Sequence, residues 1–251
     1  MRIAILSDIH GNLPALEAVL RDIEQNRIDD KFCLGDIIGY GANPEECVQI
    51  IREISKKSVC GNHEHALMSY VLTGEFPETM NPIACDGVAY AKDKLSKISM
   101  DFILSLPLSD EVKKLNLKLS HSSIKSPDRW EYVTNTVFAH MELYGVPQNI
   151  SLIGHTHKPQ IWRNKGIRQA AKSTDSGITL LSDNKYLINV GSVGQPRDGD
   201  PRACYLIIDY LENKTKVYFR RVEYDIERAA RAIREAQVLD RFLADRLFQG
   251  R

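Results

Sequence analysis

"RIAILSDIHGNLPALEAVLRDIEQN", residues 2–26, runs from a five-residue apolar stretch through a polar turn into a helical repeat. RIAIL shows no polar alternation, which predicts a strand covered on both faces. Leu13, Leu16, Leu20 and Ile23 recur at helical spacing behind Asn12, a suitable N-cap. Outward from here, KFCL (31–34) reads as a second strand. A helix begins near Pro44 with Cys47, Ile50, Ile51 and Ile54 on one face, and KSVC (57–60) reads as a third strand. Strands and helices alternating at this spacing predict an α/β chain with parallel βαβ pairing.

Residues 66 to about 106 read as a helical insertion, interrupted at GEFPETMNP (74–82) by Gly and Pro. LKLS (117–120), SLIG (151–154) and YLINVGS (186–192) read as further strands, and residues 202–224 as an antiparallel hairpin turning at ENKT. The tail, about 225–249, reads as one charged amphipathic helix that turns Ile226, Ala230, Ile233, Phe242 and Leu243 toward the core. RNKGIRQAAKSTDSG (163–177) is expected to be a mobile loop. With no repeat, low-complexity stretch or linker, residues 1–251 are expected to form a single domain.

Lys+Arg and Asp+Glu both number 33, so the formal net charge is zero. Such a chain has no bulk field to attract a phosphate backbone, which disfavours a nucleic-acid partner. The five cysteines form no C-x-x-C pair, and no apolar run is long enough to span a bilayer or resembles a signal peptide. The expectation is a soluble, reduced, cytoplasmic protein without a membrane partner; its oligomeric state is not readable.

The chemistry gathers where strands end. Asp8 and His10 follow the first strand, Asp36 the second, and Asn62, His63, Glu64 and His65 the third. His121 follows LKLS, while His155 and His157 follow SLIG; among the histidines only His140 lies elsewhere. Ligands of open α/β sheets bind beyond the carboxyl ends of the strands. In extended backbone, residues i and i+2 point to one side, so Asp8 with His10, and His155 with His157, can face one site. Mixed carboxylate and imidazole donors suit first-row divalent ions better than Mg or Ca. The donors are too many for one closed tetrahedral zinc and fit two ions bridged by a carboxylate.

D-x-H, G-D, G-N-H-E, a later H and G-H-T-H, in that order, resemble the calcineurin-like metallophosphoesterases, closest to their small bacterial and archaeal phosphodiesterase branch. Any one of these fragments alone is an ordinary polar turn; five in order are specific. The resemblance implies a four-layer α/β/β/α sandwich with two mixed sheets packed face to face. It implies that Asp8, His10 and His157 hold one divalent ion and Asn62, His121 and His155 another, with Asp36 bridging. The metals would come from Mn, Fe, Ni, Co or Zn. Such a pair lowers the pKa of a bridging water, and the resulting hydroxide attacks phosphorus in line. His63 then serves as general acid.

The substrate implied is a small phosphate ester, a nucleotide or dinucleoside polyphosphate. Tyr40 stands where the protein phosphatases of this family carry an arginine after G-D, so Arg197 or Arg202 must anchor the phosphate, with Arg197 preferred alongside Asn62 and His63. Glu64 and His65 are expected to support or orient, and His140 to be an ordinary helix or surface residue. Two rival readings are a non-catalytic metal-binding scaffold of the same fold and a nuclease. The filled ligand positions weigh against the first and the neutral charge against the second.

Overall fold

The computed structural model describes residues 1–164, 169–170, 177–212 and 214–251. β1 (Arg2–Leu6) forms where the apolar run predicts it, and its side chains alternate between two cores. Ile3 and Ile5 point between two sheets, whereas Ala4 and Leu6 point toward helices. An uninterrupted apolar run is thus a strand buried on both faces.

β1 lies mid-sheet. β2 (Asp30–Cys33) and then β3 (Lys57–Ser58) extend the sheet in parallel on one side. On the other side β11 (Ala203–Leu211) pairs antiparallel with Ile5 opposite Leu206, followed by β12 (Lys214–Val222) and β9 (Ile178–Leu180). The second sheet runs β4 (Ser109–Val112), β5 (Leu117–Ser120), β6 (Ile150–Ile153), β10 (Tyr186–Asn189), β7 (Gln160–Arg163) and β8 (Gln169–Ala170). β5–β6 and β6–β10 are parallel and the outer pairs antiparallel, so both sheets are mixed.

The sheets pack face to face through Ile3, Ile5, Phe32 and Leu206 from one and Leu119, Leu152 and Ile188 from the other. α1 (Leu13–Gln25) and α2 (Pro44–Ile54) cover the outer face of the first sheet with Leu16, Val19, Ile23, Cys47 and Ile51. α6 (Thr136–Leu143) covers the second with Ala139 and Leu143 against Ile153, Trp162 and Leu187. The four-layer α/β/β/α sandwich is therefore observed. Asn12 caps α1 by accepting the N–H of Ala15. The five cysteines are all free thiols. No described helix is long and apolar enough to cross a membrane.

Several sequence expectations are corrected. The insertion is three helices and starts earlier than residue 66: α3 (Asn62–Thr73), α4 (Pro82–Lys94) and α5 (Lys97–Leu104). The tail is two helices, α7 (Ile226–Glu235) and α8 (Arg241–Leu247), with Asp240 capping the second. The break turns Phe242 outward, 53% exposed, while Leu243 is buried. Of the loop expected at 163–177, Arg163 ends β7 and Gln169–Ala170 form β8, while 165–168 and 171–176 lie outside the described residues.

Candidate metal centre

Five loops at the carboxyl ends of the strands converge. Asp8, His10 and His157 present ligand atoms within 4.8 Å of one another, as do Asp36, His121 and His155, and also His10, Asp36 and His63. All seven are buried. His10 Nε2 lies 3.6 Å from Asp36 Oδ2, and His121 Nε2 lies 3.3 Å from the same oxygen. His157 Nε2 stands 3.3 Å from Asp8 Oδ1.

Convergence does not come from extended backbone. Asp8, His10, Asp36, His155 and His157 all have positive φ, between 50° and 64°. Each left-handed residue costs about 1–2 kcal/mol, so the surrounding loops must enforce it. They do so by hydrogen bonds from the main chain and from buried side chains. Asp8 N–H donates to Gly35 O at 3.0 Å, and His10 N–H to Asp36 O at 2.9 Å. Ser192 Oγ donates to Asp8 O at 2.7 Å, and Asn189 Nδ2 to Thr156 Oγ1 at 2.9 Å. A Cβ on Gly154 would run into Ser7 and Asp8, which is why a glycine precedes His155.

Four imidazoles are held by their far nitrogens. His10 Nδ1 donates to Ile38 O, His121 Nδ1 to Leu34 O and His157 Nδ1 to Gln195 O, at 3.1, 2.7 and 2.6 Å. His155 uses the other nitrogen, Nε2, toward Trp130 O at 2.9 Å. Carbonyls only accept, so each ring carries its proton outward and turns the free nitrogen toward the centre, the arrangement typical of metal-ligating histidine. His10 and His157 thereby aim two lone pairs at each other across 3.2 Å, which is repulsive unless a cation sits with them. Asn62 Oδ1 and His121 Nε2 are buried without hydrogen-bond partners. This donor set fits divalent metal ions.

Electrostatics agree. Burial holds His10 and His157 well below the ordinary imidazole range and His155 down at about 3, favouring the neutral form that ligates. Burial pushes Asp8 up to about 7. His121 goes the other way: burial opposes its charge, but Asp36 holds it up at about 9. The carboxylates thus call for positive charge at the centre.

His63 sits beside this cluster on the first turn of α3. Its Nε2 is 3.9 Å from Asp36 Oδ2, its main-chain N–H donates to Asp36 Oδ1 at 3.0 Å, and its Nδ1 has no partner. Tyr40 packs its ring against His10 and His63, with centroids 4.7 and 4.8 Å away. The Arg197 guanidinium lies 5.7 Å over the Tyr40 ring, so it reaches the region left without an arginine after G-D. Arg202 instead pairs with Asp200 at 2.7 Å. His65 faces Trp130 at 5.3 Å, and His140 in α6 donates to Arg163 O.

Sequence reading missed Trp130, Tyr132 and Arg246. Tyr132 stacks on His155 at 4.1 Å and 20°. Arg246, from α8, is pushed down to about 10 by burial and by Arg197 nearby. Two aromatics in the otherwise polar SPDRWEY were the available signal; Arg246 had none.

The family model for the calcineurin-like phosphoesterase superfamily domain matches residues 1–213. The crystal structure of a metallophosphoesterase from Sphaerobacter thermophilus aligns with a TM-score of 0.85 at 36% identity, covering 100% of this chain and 99% of that one. An uncharacterized protein of Methanocaldococcus jannaschii is 40% identical over 251 residues, 99% of this chain and 98% of its own. A symmetrical bis(5'-nucleosyl)-tetraphosphatase of Actinobacillus pleuropneumoniae is 25% identical over 224 residues, 86% of this chain and 77% of that protein. With motif, sandwich and centre in agreement, the chain belongs to the calcineurin-like phosphoesterase superfamily, a family of metal-dependent hydrolases.

Proposed function

We propose that the protein hydrolyses phosphate esters of small nucleotides or dinucleoside polyphosphates at a centre of two divalent metal ions. The observation that carries this reading is the set of four carbonyl-anchored imidazoles whose free nitrogens surround Asp8 and Asp36. Asp8, His10 and His157 would hold one ion and Asn62, His121 and His155 the other, with Asp36 between them. Bound there, the ions would polarise the phosphoryl oxygens and acidify the attacking water.

The chain supplies the rest. His63 gives a proton to the leaving oxygen, a role suited to its place beside Asp36 and Asn62. Arg197 binds a phosphoryl oxygen, since it stands at the mouth of the site and has no carboxylate partner among the described residues. Residues 1–251 act as one domain, because α7 and α8 pack against Tyr40. Resemblance to a dinucleoside tetraphosphatase supports the substrate class. The test is a screen of phosphomonoesters, phosphodiesters and dinucleoside polyphosphates with metal analysis of the same sample. Two ions per chain and turnover of a nucleotide ester are expected. Metal-loaded protein that turns over none of these compounds would instead be a binding scaffold.

A further inference from the structure

Beside the metal centre a cavity of about 290 Å³ opens between α3, α4 and the 129–132 segment. Its lining includes the rings of Tyr40, Trp130 and Tyr132, the apolar Met80 and Ala84, and the candidate metal ligands Asn62 and His155. Three large rings around one small cavity are unusual on a chain with 8% aromatic residues. Tyr132 is 54% exposed, although an aromatic ring without a ligand gains more by burial. Trp130 has φ +53°, a left-handed conformation that a bulky residue rarely adopts. That conformation directs its carbonyl to His155 Nε2 at 2.9 Å while its ring lines the cavity.

We infer that this cavity receives the nucleobase of the substrate, stacked on Trp130 and Tyr132, and so selects nucleotide esters over simple alkyl phosphates. The inference rests on the hydrolase reading above and adds the feature by which that site would choose its substrate. Aromatic faces accept any base, and the cavity is lined in part by candidate metal ligands, so a base here places its phosphate at the centre. Polar groups are at hand. Asn81 spends its Oδ1 on the N–H of Ile83, leaving its amide N–H₂ to donate to a ring nitrogen. The volume lies near the low end of small-ligand sites, roughly 300–1,000 Å³, and suits one nucleoside rather than a whole dinucleotide. In a dinucleoside polyphosphate the second base would lie outside.

Met80→Trp enlarges a lining residue that is neither one of the two proposed stacking rings nor a candidate metal ligand, and so takes up cavity volume. Two esters with the same leaving group, thymidine 5'-(p-nitrophenyl phosphate) and methyl p-nitrophenyl phosphate, are compared by kcat/KM in the metal-loaded wild type and variant. Binding of adenosine 5'-monophosphate and ribose 5-phosphate is measured by calorimetry in both. The wild type is expected to bind the base-bearing phosphate about tenfold more tightly, and the variant to lose about tenfold in its preference for the thymidine ester. Equal binding of the two phosphates by the wild type, or an unchanged ester ratio in Met80→Trp, overturns the base site while leaving hydrolysis standing. Failure of both esters to turn over, with tight nucleotide binding retained, would instead count against hydrolysis and for the base site.

Discussion

The Glu64 carboxylate accepts the main-chain N–H of Asp36 at 2.7 Å. It also accepts those of Ile37 at 2.8 Å, Ile38 at 3.1 Å and Gly61 at 2.9 Å. Glu64 is wholly buried. One anion therefore ties the loop after β2 to the start of α3 and sets where Asp36 and Asn62 stand. The G-N-H-E spacing has this physical reason: the fourth residue, one turn into the helix, reaches back to the loop that holds the central carboxylate.

In Glu64→Gln an N–H₂ replaces one acceptor oxygen, leaving at least one buried N–H unpaired. A loss of about 1–3 kcal/mol in stability is expected. Metal affinity should fall about 10–100-fold, as for other residues that orient ligands. Thermal unfolding and metal titration read the two effects. Unaltered metal affinity in a folded variant would show that Glu64 does not position the centre.

Asp36→Asn should cost more activity than any other single ligand change, because its Oδ2 lies 3.3 Å from His121 Nε2 and 3.6 Å from His10 Nε2, one from each candidate ligand set. Metal stoichiometry should drop with turnover. The bridging role is wrong if the variant keeps near-native turnover with a full complement of metal.

His63→Asn should leave metal content intact and slow substrates with poor leaving groups most, by about a hundredfold to ten-thousandfold. Esters with good leaving groups should be affected least. A plot of log rate against leaving-group pKa should steepen; a parallel shift would argue for a purely structural His63.

Away from the site, Asp22 on α1 accepts two hydrogen bonds from Arg220, at 2.7 and 3.0 Å, and one from Tyr205 at 2.5 Å. Burial opposes its charge, but these partners hold its carboxyl below the ordinary carboxylate range. A depressed folded pKa contributes stability above the unfolded value of about 3.9, lost as pH falls through the folded value. Asp22→Asn is expected to destabilise by about 1–3 kcal/mol at neutral pH and to match the wild type more closely in acid. Denaturant unfolding at pH 7 and below pH 4 decides; a gap that persists at low pH would place the effect elsewhere than in the charge.

Much of this was legible in one dimension. The apolar run Arg2–Leu6, the spacing of α1 and its Asn12 cap, the parallel start and the residues that converge at strand ends all follow from local pattern. Local pattern is enough there because burial on both faces and helical periodicity leave a direct mark on residue order. The polar SDEV of β4 leaves no apolar mark in the sequence, and the split between α7 and α8 depended on Asp240 capping a new helix.

Residue order alone determined which side chains reach the strand ends. Tertiary structure decided how they meet: through left-handed backbone at Asp8, His10, Asp36, His155 and His157, not through an extended pleat. Only folding could bring the carbonyls of Leu34, Ile38, Trp130 and Gln195 behind four imidazoles, since those partners lie up to 87 residues from the ring they hold. A carbonyl has no sequence signature, so the orientation of a ligand is written in space alone.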